Sequence, residues 1–585
     1  MPRRSNYDKH PCIEVAGFHG QAVRGREAVA ERLRRAADSC GNAGCLVVDC
    51  YPGVDEVWIR EHLIEPLAPQ RVVHTSEARL PAAELGRLFR RHLTDDRVFG
   101  VMSHHRLEDC FDPARLEALR RELARPARGL TVVVGHGATL FCDADVLVYA
   151  DLPRWEIQQR FRHRRLPNWG MENADEEILR RYKHGYFVEW RLADRHKMRV
   201  FDAVGLFFDT TVESDPRLAT GEAVRTGLAH ATTRPFRVVP FFDPAPWGGQ
   251  WMKATCDLDP DVENYGWCFD CVPEENSLVL AIDGVHLEFP ALDLVLTQPL
   301  PLLGEAVHAR FGAEFPIRFD FLDTVGGGNL SFQVHPLTEY ILEAFGMRYT
   351  QDESYYLLDA EEGACVYLGV KSGTDPAEMA AALRTAQASA DAPFEAERFA
   401  ARWPAKKHDH FLIPAGTPHG SGAGSMVLEI SATPYIFTFK LWDWGRLGLD
   451  GKPRPIHLDH GLANIQWERD EAFARRELVN RVEAVCEGDG WREERTGLHE
   501  LEFIETRRHW FTKPVLHDTR GTVNVLNLVE GEAAVIESPT NTFEPFEVHY
   551  AETFIMPAAV GPYVIRPLGS SPSGEHATVK AHVRA

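Results

Sequence analysis

Near residue 235 the hydrophobic pattern of this 585-residue chain changes, and the change limits the folds open to it. Before it, the short apolar runs at 45–49, 130–134 and 146–149 alternate with helical patterns such as Glu27–Asp38, Arg115–Ala124 and Trp155–Arg165. Apolar runs bounded by Gly and alternating with helices predict βαβ units and a parallel sheet. After it, short strands with Gly and Pro turns predict an all-β barrel. One helix is expected to leave that barrel. Asp375 is a capping residue, Pro376 takes the first helical position, Glu378 supplies an early acid, and the Ala-rich run lasts to about Gln387.

The β region carries the chemistry. In Leu330-Ser-Phe-Gln-Val-His-Pro336 an extended backbone sends Ser331, Gln333 and His335 to one face. Glu353 offers a carboxylate, and the turn Pro414-Ala-Gly-Thr-Pro-His419 offers a second imidazole. Two His, one Glu and one Gln form an N/O set suited to zinc, with room left for water or substrate. Two His and a carboxylate also suit Fe(II), but Gln333 fills a position that oxygen chemistry needs. His408 and His410 stand at strand spacing as a further candidate pair. Cys268 and Cys271 have CxxC spacing without a second pair to complete a zinc knuckle, so they read as strand thiols.

These pieces resemble the class I mannose-6-phosphate isomerases, which are zinc-dependent cupins. Trp247-Gly-Gly249 is similar to the family's opening motif, and Ser331-Phe-Gln-Val-His-Pro336 to its Ser-x-Gln-x-His-Pro. Glu353 stands where the family has Lys-Pro-Glu, 413–419 resembles its Ile-Pro-Ala-Gly-Thr-Pro-His turn, and Asp443-Trp-Gly-Arg446 resembles its closing Asp-x-x-Arg. With Val427-Leu-Glu-Ile430 between the last two, six matches in register over roughly 200 residues form a specific signal. The resemblance implies that Gln333, His335, Glu353 and His419 hold Zn2+, that Arg446 is the active-site cation, and that Ser331 and Lys440 contact a substrate phosphate. It implies isomerisation of mannose 6-phosphate to fructose 6-phosphate through a cis-enediol. The general base stays open among Glu429, Asp443 and His410. Gln351 replaces the family's lysine, and only Gly266-Trp267 remains of a Gly-Glu-x-Trp element. The competing expectation is therefore a metal-binding sugar-phosphate sensor with impaired catalysis.

Residues 411–419 also align with 554–562, where Pro562 stands in place of His419, and 523–536 reads as strand, Gly531 turn, strand. A second, metal-free cupin follows from this repeat. The expected organisation is multidomain: an α/β domain over 1–235, a metal-binding cupin (a double-stranded β-helix or jelly roll) over 236–460, and a linker with the second cupin over 461–585, with helical insertions. Within the first part, Gly135–Leu140, Ala144–Asp151 and the Arg-rich Arg154–Arg165 resemble nucleoside and nucleotide kinases of the P-loop class. The loop after the first strand, Asp49-Cys-Tyr-Pro-Gly-Val-Asp-Glu56, has no lysine and two further acids, so the phosphate cradle is missing. Arg160, Arg162, Arg164 and Arg165 form a candidate phosphate or nucleotide contact, the alternative being a solvated helix face.

Sixty-four basic against 86 acidic residues leave a net charge of −22, which disfavours nucleic acid and anionic membranes as partners. A sugar phosphate would need a local cationic pocket against that field. Eleven cysteines point to a reducing cytoplasm, and the basic N-terminal residues lack the apolar stretch of a signal peptide.

Overall fold

The structure is a computed structural model that describes residues 5–584 apart from 126–127, 390, 433–436, 450 and 498. The first four residues, with most of the basic N-terminal run, lie outside the described residues. The chain forms two compact units, neither continuous in sequence: one of 12–231 and 277–297, the other of 1–11, 232–276 and 298–585. The insertion 277–297, which falls within the span 236–460, belongs to the α/β unit.

That unit is built on a seven-stranded sheet in the order Ala22–Arg24, Arg217–Thr220, Leu206–Asp209, Val146–Asp151, Cys45–Cys50, Thr131–Gly135, Arg71–His74. The last five run parallel. Thr131–Gly135 is buried at every position, which is why its sequence is apolar without alternation. The carboxyl ends of three neighbouring strands carry buried aspartates, Asp49, Asp151 and Asp209. Each is engaged internally. Asp49 accepts from the Gly137 and Thr139 amides (2.9 and 3.0 Å), the Thr139 hydroxyl (2.7 Å) and His196 Nε2 (2.8 Å). Lys197 Nζ donates to Asp151 (2.7 Å) and Asp293 (2.8 Å).

The arginine helix runs Arg154–Arg162, shorter than its sequence pattern, and Arg164 beyond it has a positive φ of 54°. Its basic residues divide: Arg162, Arg164 and Arg165 are exposed, as a solvated face would have them, and Arg160 is buried. Arg160 is 1% exposed and bonded to Glu156 and to the carbonyls of Gly53 and Thr210. Arg162 meets Tyr182, Arg164 meets Asp175, and Arg165 meets Glu213.

The second unit contains two antiparallel sandwiches. In the first, a sheet of His410–Ile413, Glu353–Ala360, Ser425–Ser431, Arg318–Asp323, Trp267–Cys271 and Phe241–Asp243 faces one of Ala400–Pro404, Cys365–Val370, His419–Ser421, Phe332–Val334 and Phe439–Trp442. Leu322, Tyr355, Val366, Leu368, Phe411 and Val427 fill the space between them. In the second sandwich Thr553–Met556, Asn524–Glu530, His576–Val583, Ile504–Phe511, Trp491–Gly497 and Glu483–Gly488 face Phe546–His549, Ala533–Glu537, Pro562–Leu568 and Val515–Asp518. The strand order is the same in both, apart from one extra edge strand in the first. Gly531 turns between two strands of the second with φ 101°, a conformation that suits a residue without Cβ. Asp375 caps the helix Pro376–Ala388 by accepting from the Ala377 amide. No helix among the described residues is long and apolar enough to cross a membrane.

Candidate metal centre

Register brings the polar residues of the first sandwich together. Gln333 pairs with His419 on one side and with Lys440 on the other. Directly opposed residues share a face, so an amide, an imidazole and an ammonium-bearing chain rise from one sheet. His335 follows at the end of the same strand, and Glu353 opens a strand of the facing sheet. Glu353 Oε2 lies 3.0 Å from His335 Nε2, and Oε1 lies 2.9 Å from His419 Nε2. Gln333 Nε2 is 3.3 Å from His419 Nε2. All four side chains are buried.

The second layer of contacts aims these donors. His335 Nδ1 bonds the Phe437 carbonyl (2.8 Å) and His419 Nδ1 the Thr417 carbonyl (2.9 Å), so both rings carry their proton on Nδ1 and turn an Nε2 lone pair inward. Despite these short separations, neither His335 Nε2 nor Glu353 Oε1 has an aligned hydrogen-bond partner. Burial would push Glu353 up, yet the adjoining His335 and His419 hold it well below the usual carboxylate range. Two imidazoles and a carboxylate whose ligand atoms lie within 4.8 Å of one another fit a divalent cation with N/O preference. Ser331 Oγ donates to Gln333 Oε1 at 2.7 Å. Flipping the amide, with Ser331 then accepting, turns that oxygen toward the cluster.

Arg446 sits apart from this quartet in its bonding. Its guanidinium is held on Asp443, whose other oxygen takes Arg454 at 2.6 Å, and no hydrogen bond joins it to the four donors among the described residues. Asp443 is thereby committed to two arginines rather than open as a base. His410 pairs with Tyr356, on the face of the Glu353 strand opposite to Glu353, and so does not reach the cluster. His408 is bonded to Tyr356 Oη and lies 3.3 Å from Glu530. Cys268 and Cys271 are buried in their strand, and burial pushes both thiols up, as expected of inert core cysteines.

The sequence reading named Gln351 and Glu429 but missed two arrangements they enter. Gln351 donates to Glu353 Oε2 at 2.9 Å, so the residue in the lysine position orients the carboxylate directly. Glu429 lies on the strand beside that of Glu353, and Asp320 opposes it one strand further. Burial, relieved in part by Arg318, pushes Asp320 up to about 7, and burial with the neighbouring acids pushes Glu429 well above the usual range. Alternation of Arg318 and Asp320 with Phe319 and Phe321 was the available signal. It marks polar side chains on one face of a strand whose every residue is buried.

Comparison with known proteins adds a family match, two sequence relatives and one solved structure. Residues 25–233 match a family described as Domain of unknown function (DUF8485). Over 220 residues the chain is 28% identical to the mannose-6-phosphate isomerase of Streptococcus mutans, covering 37% of this chain and 63% of that relative, less than two thirds of its length. Over 237 residues it is 26% identical to mannose-6-phosphate isomerase ManA of Bacillus subtilis, covering 40% and 69%. The crystal structure of the Bacillus subtilis mannose 6-phosphate isomerase superposes with a TM-score of 0.49 at 18% identity, over 60% of this chain and 99% of that one.

Proposed function

We propose that this chain is a zinc-dependent aldose–ketose isomerase of a hexose phosphate, interconverting mannose 6-phosphate and fructose 6-phosphate. The observation that supports it most is the convergence of Gln333, His335, Glu353 and His419 in one buried cluster with a lysine-bearing strand beside it. These four residues would hold the zinc, and a metal bound there supplies Lewis acidity that lowers the cost of negative charge on the sugar's C1 and C2 oxygens. Glu429 is the proposed base. Its raised proton affinity fits a group that takes a proton from one carbon and returns it to the other. Lys440 and Ser331, on the ligand face, hold the substrate's polar groups, with Arg446 contributing positive charge at the entrance. Gln351 keeps Glu353 in its ligand orientation.

Turnover of mannose 6-phosphate by the purified chain, with and without added zinc, tests the reading; no turnover in either state removes it. Metal analysis of protein purified without chelator separates zinc from iron. Glu429→Gln is expected to lower kcat by about 10²–10⁴-fold with zinc content unchanged. Loss of the metal along with the activity would make Glu429 a structural residue instead.

The alternative, a metal-binding sensor without efficient catalysis, draws on Gln351 in the lysine position. For the enzyme reading, Gln351→Lys places an ammonium on the ligand carboxylate and should weaken zinc binding by roughly 10-fold without raising turnover. A gain in turnover would favour the sensor. The α/β unit is read as a kinase-like frame without phosphoryl-transfer chemistry, since its loop after Cys50 has no lysine and Arg160 is consumed by the fold. Eleven cysteines, an odd number in a chain of this size, support a reducing, cytoplasmic setting.

A further inference from the structure

Because the two sandwiches share one strand order, their interiors can be compared position by position. Glu353 opens its strand opposite Ile413, and Asn524 opens the matching strand opposite Met556. On the next strand Ser431 faces Glu353 and Glu429 faces Tyr355; in the second sandwich His582 faces Asn524 and Lys580 faces Leu526. One strand further, Asp320 opposes Glu429, while Arg507 opposes Lys580. The acid pair beside the metal cluster is thus replaced by a pair of cations, and the ligand carboxylate by a neutral amide. At these matched positions the sign of the charge is inverted.

The inverted positions leave donors open. Lys580 is 8% exposed, and no hydrogen bond or ion pair holds its ammonium among the described residues. The nearby acids are taken: Arg507 binds Glu493 at 3.0 Å and Glu505 at 2.5 Å. His509 Nδ1, His517 Nε2 and His582 Nδ1 are buried without a hydrogen-bond partner. The His509 and His517 rings lie 4.5 Å apart, with His517 stacked on Tyr563 at 5.3 Å. His509 spends its Nε2 proton on Glu493 at 3.0 Å, which leaves its Nδ1 an acceptor. Buried polar groups are nearly always paired, so the unbonded ammonium of Lys580 and the open ring nitrogens of His517 and His582 call for a ligand that accepts. Burial lowers Lys580 to about 8, a measure of what its charge lacks there.

We propose that the second barrel binds a small phosphate-bearing anion at Lys580, with His517 and His582 as additional donors. A phosphoryl group carries the charge and the several acceptor oxygens that this set of donors lacks. Arg520 is exposed and close enough to Lys580 to add positive charge there. The inference stands independently of the isomerase reading, because it uses none of the residues in the first barrel.

Equilibrium dialysis of the full chain against inorganic phosphate, in chloride buffer of constant ionic strength, tests it. Lys580→Met is expected to reduce the bound phosphate by one per chain, through at least a tenfold loss of affinity at this site. Lys580→Arg should hold it within a few-fold, and His335→Ala in the other barrel should leave it unchanged. Met replaces a buried, unpaired charge with apolar volume, so the variant is expected to fold. His517→Phe, which keeps the stack on Tyr563, should weaken the same site at least threefold and gives a second reading. Phosphate stoichiometry unchanged by Lys580→Met, or acetate displacing phosphate at equal concentration, overturns the proposal. Hexose-phosphate turnover of Lys580→Met, expected to match the wild type, distinguishes its failure from failure of the first site.

Discussion

His335→Ala is expected to release the metal and abolish isomerisation. The ring reaches Glu353 through Nε2 at 3.0 Å and is anchored through Nδ1 on a backbone carbonyl, so no neighbouring group can swing into its place. Removing an outer-layer partner of a metal ligand costs about 10–100-fold in affinity, and removing the ligand itself should cost at least about 100-fold. Zinc content after dialysis, measured by elemental analysis, should fall from near one per chain to near zero, with turnover falling in parallel. The variant also leaves Glu353 buried with one imidazole instead of two. A variant that retains one zinc per chain after dialysis would end the four-donor assignment.

The second large effect is expected from Lys197→Met in the α/β unit. Lys197 is buried between Asp151 and Asp293, over the rings of Tyr51 at 4.4 Å and Tyr149 at 5.5 Å. Asp293 comes from 277–297, so this ion pair ties the returning segment to the parallel sheet. Removing the cation that two buried carboxylates share should destabilise the unit by about 3–5 kcal/mol, read as a lower urea midpoint. The pH dependence follows from Asp293, which burial first, and Asp151 beside it, push well above the usual carboxylate range. A carboxylate with a raised folded pKa takes up a proton on folding, so its share of stability falls as pH rises toward that value. The deficit of Lys197→Met should therefore be larger at pH 8 than at pH 5, and Asp293→Asn in the same background should recover part of it. Equal midpoints for wild type and variant at pH 8 would show that the triad contributes no stability.

Local pattern carried much of this molecule. The period change near residue 235 separates runs buried on both faces from alternating strands, and each periodicity is a property of a few consecutive residues. Strand alternation likewise places Ser331, Gln333 and His335 on one face before any partner is known. The Asp375 cap and the Gly531 turn are legible for the same reason, since both depend on neighbours within about four positions.

What lay beyond the sequence depends on pairing between distant strands. Register set Gln333 beside both His419 and Lys440, and strand facing turned His410 away from Glu353. The arginine helix gave no hint that Arg160 would be buried against the carbonyls of Gly53 and Thr210, because a charge on a helix is read as exposed until its neighbours are known. Nor did the chain announce that 277–297 would join the α/β unit, or that Arg507 and Lys580 would take the places of Asp320 and Glu429. Residue type and spacing determine which side chains can share a face. Which faces meet is decided by long-range closure of the sheets, where apolar burial and the pairing of buried charge are satisfied together.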